Sequence, residues 1–187
     1  DREFTRPYAI MLNNIQQAQP QYGISQADIV YEICAEGGIT RMLAVYQDIS
    51  DIGSIGSIRS ARPYYVEIAL GLDAIYIHAG GSEQAYSDIA NKGVTNFDGV
   101  RGSNEGNMFW RDNQRIYTHG YEHSLFITGS HTAELIDNAN IRHEHEDDYQ
   151  YEMDFAWDAT PENGYTANKV DIEFSSYKTG TFDYDSE

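Results

Sequence analysis

Hydrophobic positions in this chain change period several times, and each change marks a predicted element. Arg6 to Asn14 (RPYAIMLNN) is a short apolar run closed by an Asn pair, the pattern of a strand. Gln16 to Gly23 is a Gln/Pro/Gly loop. Ile29 to Glu36 and Ile39 to Gln47 are β-rich runs separated by Gly37-Gly38. That arrangement predicts a hairpin, because both central turn residues can take positive φ. With Gly37 and Gly38 as a two-residue loop, Cys34 pairs with Arg41. One face then carries Val30, Glu32, Cys34, Glu36, Ile39, Arg41, Leu43 and Val45. The opposite face, with Tyr31, Ile33, Ala35, Met42, Ala44 and Tyr46, is the expected core face.

Asp48 to Ser57 is a Gly/Ser/Asp loop. Ser60 to Gly71 has an N-cap serine, a proline in its first turn and a closing glycine, and predicts a helix. Leu72 to Ala79 (LDAIYIHA) has a buried-strand pattern and runs into Gly80-Gly81. Ser82 to Asn91, ended by Gly93, predicts a second helix, so strand and helix alternate as in an α/β core. Val94 to Arg115 is rich in Asn, Gly and Asp and reads as irregular. Glu122 to Thr128 predicts a strand and Ser130 to Asn140 a third helix. His143 to Asp158 is polar and acidic, and Lys169 to Phe174 and Tyr177 to Tyr184 alternate like two strands joined by a short turn.

The totals narrow the class. A length of 187 residues, 41% of them apolar or aromatic, suffices for one sizeable core. No run approaches the 18 or so apolar residues of a membrane span. The single cysteine, Cys34, excludes an internal disulfide framework and a cysteine-rich zinc site. The formal charge is −18, and residues 143–187 hold 13 acidic side chains against two lysines. Such a field repels phosphate backbones, so no nucleic-acid partner is expected. The acidic tail reads first as a solubilising surface, with capture of a cation or partner as the sharper alternative.

Several runs resemble a known family. They are Arg6 to Asn14, Ser25 to Arg41, Gly56 to Tyr65, Ile75 to Ser82 and Tyr121 to Leu125, together covering most of residues 6–140. In this order they resemble the YerB-like lipoprotein family, whose N-terminal domain has no assigned activity. The resemblance implies an extracytoplasmic ectodomain of a Gram-positive-type envelope, with a lipidated N-terminal cysteine as its membrane anchor, which is not in this sequence. It also implies a three-layer α/β sandwich with a mixed sheet over residues 1–165. Residues 166–187 would then be the first strands of a smaller, β-rich C-terminal domain. Neither a cofactor nor a metal is implied.

The most suggestive local chemistry is Arg59-Ser60-Ala61-Arg62. Two guanidiniums flank the predicted start of a helix, whose first N–H groups lack partners, which makes an anion site for carboxylate or phosphate. The rival reading pairs these arginines with internal carboxylates such as Glu32, Glu36 or Asp73. On the predicted hairpin face Arg41 lies between Glu32 and Glu36. Two nearby carboxylates can split their pKa values for glycoside hydrolysis, but an arginine between them keeps both ionised. His78 ends an apolar strand, where α/β folds open their ligand crevice, although a lone histidine there also serves as a packed, hydrogen-bonded residue. Gly80-Gly81-Ser82 lacks the spacing and lysine of a P-loop. His119-Gly-Tyr-Glu122-His123 spells the inverted zinc-protease motif, but Gly120 and the β-like residues that follow oppose the helix it needs. His143 to Asp148 reads as a solvated acidic loop, and no G-x-S-x-G elbow occurs.

The expected site is therefore Glu32, Glu36, Arg41, Arg59, Ser60, Arg62 and His78. The leading expectation is a non-enzymatic module that binds an anionic envelope ligand or a protein partner. A hydrolase of envelope glycan or peptide and a purely structural scaffold are the alternatives.

Overall fold

The computed structural model describes residues 5–102, 107–150 and 163–184. In chain order the strands and helices begin with β1 (Tyr8–Asn13), β2 (Ile29–Cys34), β3 (Thr40–Tyr46), β4 (Ser54–Gly56) and α1 (Pro63–Gly71). They continue with β5 (Ile75–His78), α2 (Glu83–Lys92), β6 (Asn96–Asp98), β7 (Phe109–Arg111) and α3 (Asn113–Thr118). Last come β8 (Leu125–Thr128), α4 (Gly129–Asp137), β9 (Lys169–Ser175) and β10 (Lys178–Asp183).

The apolar run that becomes β1 lies in the middle of a five-stranded sheet of order β2-β3-β1-β5-β6. It pairs antiparallel with β3 and parallel with β5, so the sheet changes sense at this strand. Both faces of β1 are covered, which is why its sequence is continuously apolar rather than alternating. Ala9 and Met11 pack with Tyr65, Val66, Tyr76 and Ala85 under α1 and α2. Ile10 and Leu12 pack with Ile127 and Ile136, against the antiparallel sheet β4-β8-β7 and α4. The result is a three-layer α/β sandwich around a mixed sheet, with a β9-β10 hairpin as a small β-rich C-terminal part.

Local chemistry explains several boundaries. Ser82 caps α2 by accepting from the Ala85 N–H at 3.2 Å, and Gly93 closes the helix with φ 66°. The first predicted helix starts three residues later than expected, at Pro63. Its N-cap is Arg62, with no side-chain cap, so Ser60 is not the cap. β4, β6 and β7 were not expected. Each is three residues long, too short for a period to show. The Glu122 end of the predicted strand forms a short 3-10 turn, Tyr121–His123, and β8 begins only at Leu125.

The hairpin register also differs from the expected one. The connection is not a two-residue loop. The Ala35 N–H donates to the Ile39 carbonyl at 2.7 Å, and a 3-10 turn fills Glu36–Gly38 with Gly37 and Gly38 at φ 72° and 76°. Ile33 therefore faces Arg41 and Glu32 faces Met42. A one-residue slip moves every side chain to the other face, so Arg41 and Glu32 part company.

Ile77 is fully buried between the mixed sheet and the smaller sheet. Ile77→Ala is expected to lower stability by about 2–5 kcal/mol, seen as a lower urea midpoint with an unchanged slope.

Candidate functional site

Residues 57–61 lie across the carboxyl ends of β1 and β5. Asn13 N–H donates to the Ser57 carbonyl at 3.0 Å and Arg59 N–H to the Met11 carbonyl at 2.9 Å. On the other side Ala79 N–H donates to the Arg59 carbonyl at 3.0 Å, and Ala61 N–H to the Gly80 carbonyl at 2.9 Å. The segment is thereby stitched between two strand extensions. Ile58 and Ala61 point into the two cores, while Arg59 and Ser60 are left half-exposed.

Beside them opens a cleft of about 380 Å³. Arg59, Arg101 and Arg111 all line it, together with Ser60, Gly80, Gly81, Tyr86 and Tyr121. Among the described residues its one carboxylate is Glu122. Asp98 shapes the rim. Its carboxylate accepts from Gly80 N–H at 2.8 Å, Val100 N–H at 2.9 Å and the Tyr86 hydroxyl at 2.7 Å. Burial alone would raise this carboxyl, but those hydrogen bonds outweigh it and hold Asp98 below its ordinary pKa. The Tyr86 hydroxyl is pushed up by burial and by its bond to Asp98. Asp98, Arg101 and Arg111 come from the stretch Val94 to Arg115, which shows no periodic pattern, so the sequence carried no signal that they would converge with Tyr86 and Tyr121.

The cationic groups of the cleft rest on exposed partners. Arg59 meets Glu122 at 2.8 Å, and that glutamate side chain is 59% exposed. Arg101 meets Glu83 at 2.7 Å and lies over the Tyr86 ring at 3.8 Å. Arg111 lies over the Tyr121 ring at 3.7 Å and donates to the Tyr121 carbonyl at 2.9 Å.

The other expected residues divide into separate groups. Glu36 accepts from Arg62 through both carboxylate oxygens and lies 3.5 Å from the Arg41 guanidinium. The hydrogen bond from Arg62 is the largest influence, and with both arginines it lowers the Glu36 carboxyl to about 2. Arg41 is buried and donates to the Ser60 carbonyl at 3.5 Å, while its Nε has no hydrogen-bond partner among the described residues. Tyr65 anchors this side of the hairpin to α1, donating to the Arg41 carbonyl at 2.5 Å. Glu32 lies on the opposite face, where Asn14 donates to it at 2.8 Å and Thr40 at 2.6 Å. The two glutamates therefore form no acid/base pair.

His78 does not line the cleft but lies fully buried beneath it. Its Nδ1 is 2.8 Å from the Gly80 carbonyl and its Nε2 3.2 Å from Asn96 Oδ1, and the ring stacks on Tyr76. It braces the Gly80 turn from below. Asp73 is also taken. Arg142 donates to both of its oxygens at 2.6 Å, and His145 lies at 2.9 Å. His143 and His145 thus rest against the body while Glu144, Glu146, Asp147 and Asp148 are exposed to solvent; residues 151–162 of the acidic stretch lie outside the described residues. Gly120, at φ 97°, separates α3 from the Tyr121–His123 turn, so His119 and His123 share no helix.

Residues 1–167 match the family described as Protein of unknown function (DUF3048) N-terminal domain. The chain is 41% identical over 106 residues to YerB, a candidate lipoprotein of Bacillus subtilis (strain 168), a match covering 57% of this chain and 31% of that protein. It is also similar to the crystal structure of YerB from Bacillus subtilis, with a TM-score of 0.67 and 32% identity over 78% of this chain and 48% of that one. The chain thus spans less than half the length of the relatives it matches. No helix among the described residues is long and apolar enough to cross a membrane.

The Glu36 contacts generate a pH dependence. A carboxyl lowered in the folded state contributes stability present above its ordinary pKa and lost as pH falls through the folded value. The contribution from Glu36 is therefore expected to disappear between about pH 4.5 and about pH 2. Carbon-13 NMR of the carboxyl should show a midpoint near 2 in the parent and a return toward 4.5 in Arg62→Ala.

Proposed function

The chain belongs to the DUF3048 N-terminal domain family, and we propose that it is an extracytoplasmic binding module that holds an anionic ligand in the arginine-lined cleft. The observation that carries this reading is the convergence of Arg59, Arg101 and Arg111 on one cleft in a chain of net charge −18. A guanidinium presents a planar fork of donors that matches carboxylate and phosphate oxygens. The cleft volume, about 380 Å³, falls within the small-molecule range of roughly 300–1,000 Å³.

The present carboxylate partners of Arg59 and Arg101 can be exchanged. Glu83 and Glu122 are mostly exposed, and ion pairs of that kind contribute little to stability. A ligand carboxylate or phosphate replaces them at little cost, and the Ser60 hydroxyl stands in the same wall as a further donor. Binding is favoured over hydrolysis because, among the described residues, the cleft has no second carboxylate beside Glu122, and Glu36 is held ionised elsewhere. The lipoprotein designation of the Bacillus relative supports an envelope location. On that reading the natural ligand is an anionic component of the envelope or an acidic segment of a protein partner.

Titration of nitrogen-15-labelled chain with inorganic phosphate and with succinate tests this. Saturable shifts are expected at the Ser60, Gly80 and Gly81 amides. Arg59→Ala and Arg101→Ala should each weaken binding about tenfold, equivalent to about 1.4 kcal/mol. Their melting temperatures should stay close to the parent value. Binding that ignores both substitutions, or a collapse of the melting temperature, overturns the proposal in favour of a structural ion-pair network.

A further inference from the structure

A second cleft, sharing no residue with the arginine-lined one, lies where the Gln-rich loop, the β2-β3 turn and the tip of the β9-β10 hairpin meet. Its volume is about 530 Å³. We infer that it is a binding site for a neutral, hydroxyl-rich ligand of the oligosaccharide class.

The floor is built and rigid. Asn14 and Thr40 are buried, and both donate to the Glu32 carboxylate, at 2.8 and 2.6 Å. Asn14 also donates to the Thr40 hydroxyl at 2.8 Å, and its own carbonyl oxygen receives Gln19 Nε2 at 3.3 Å. Glu32 is the residue that the hairpin register moved away from Arg41, and this is what it does instead. Among the described residues its one cationic neighbour, Lys178, lies 3.8 Å away, so the lysine of the cleft is matched by the carboxylate beneath it.

The walls supply the other half of the argument. Gln16 and Gln17 are exposed, and among the described residues their side-chain amides have no hydrogen-bond partner. Each such amide offers both donors and an acceptor, the combination that a sugar hydroxyl, itself donor and acceptor, satisfies in one contact. Tyr177 stands at the mouth, 85% exposed. It is kept there by its neighbours: Ser175 Oγ donates to the Gly38 carbonyl at 2.5 Å and accepts from Tyr177 N–H at 3.1 Å. The ring edge lies so near Gly38 that a Cβ there would come within 3.1 Å of it. An aromatic ring held at the rim of an amide-lined cleft is suited to stack on the C–H face of a pyranose while its hydroxyl stays in water. Ile15 and Ile39 supply apolar surface between the amides, which a sugar ring meets with its C–H faces, and the paired lysine leaves no net charge for an anion. A neutral, polyhydroxylated ring meets both conditions.

Chitotriose and maltotriose, each titrated into nitrogen-15-labelled chain, test the inference through the side-chain amide resonances of Gln16, Gln17 and Gln19. At least one probe should give saturable shifts there with a Kd of about 1 mM or tighter, the scale of a small, exposed sugar site. Tyr177→Ala should weaken that binding about tenfold or more, and Tyr177→Phe should keep it, since stacking needs the ring and not the hydroxyl. Tyr177 is exposed enough that neither variant should disturb the spectrum outside the cleft. Absence of saturable shifts with either probe at roughly 10 mM, some ten times that Kd, overturns the inference. So does saturable binding that Tyr177→Ala leaves unchanged. The result is independent of the arginine cleft, whose phosphate response is read at different residues.

Discussion

The burial of β1 on both faces is the constraint from which the rest of this domain follows. A strand covered by helices on one side and a second sheet on the other has no tolerance for slip, because a shift of one residue exchanges its two apolar sets. Its pairing with β3 on one edge and β5 on the other is therefore fixed. The ends of those strands then decide where residues 57–61 lie, since that segment bonds to Met11 and Asn13 on one side and to Ala79 and Gly80 on the other. Arg59 and Ser60 reach the cleft because of this stitching and not because of any helix they begin.

The charges follow a division that burial sets. Where an ion pair is largely withdrawn from water it serves the fold. Arg6 donates to the Asp73 carbonyl at 2.7 Å, and the Asp73 carboxylate is also gripped by Arg142 and His145. Burial alone would raise the Asp73 carboxyl, yet these partners hold it below its ordinary value. Arg115 is buried too and is satisfied by the carbonyls of Ala18, Pro20 and His123. In the cleft, by contrast, Arg59 and Arg101 have exposed glutamates as partners. A buried partner is costly to remove and an exposed one is not. Arg6 and Arg115 are thus costly to release, whereas Arg59 and Arg101 are not.

The two arginines of the Arg-Ser-Ala-Arg motif thus lie in different surroundings. Arg62 donates to both oxygens of Glu36, itself an exposed carboxylate, next to a buried Arg41. Arg59 faces the cleft with an exchangeable partner, and the cleft's other cations, Arg101 and Arg111, come from segments far along the chain. The alternation of strand and helix across residues 60–93 and the central strand were legible because their apolar periods are long and their punctuation is strong, as with Ser82 and Gly93 around α2.

Local pattern determined the element types, the α/β class and the presence of a Gly-Gly hairpin, since these depend on side-chain periodicity and turn chemistry within a few residues of one another. It did not determine the register of that hairpin. The observed register goes with packing on α1: Ile33 stands opposite Arg41, and the Tyr65 hydroxyl of α1 donates to the Arg41 carbonyl and accepts from the Ile33 N–H. That one-residue difference sent Glu32 to the amide-lined cleft and left Glu36 with the arginines. The short strands β4, β6 and β7, the burial of His78 and the meeting of Arg59 with Arg101 and Arg111 were likewise decided by tertiary structure. Contacts between residues some fifty positions apart leave no trace in local periodicity, because only the folded sheet brings them to one edge.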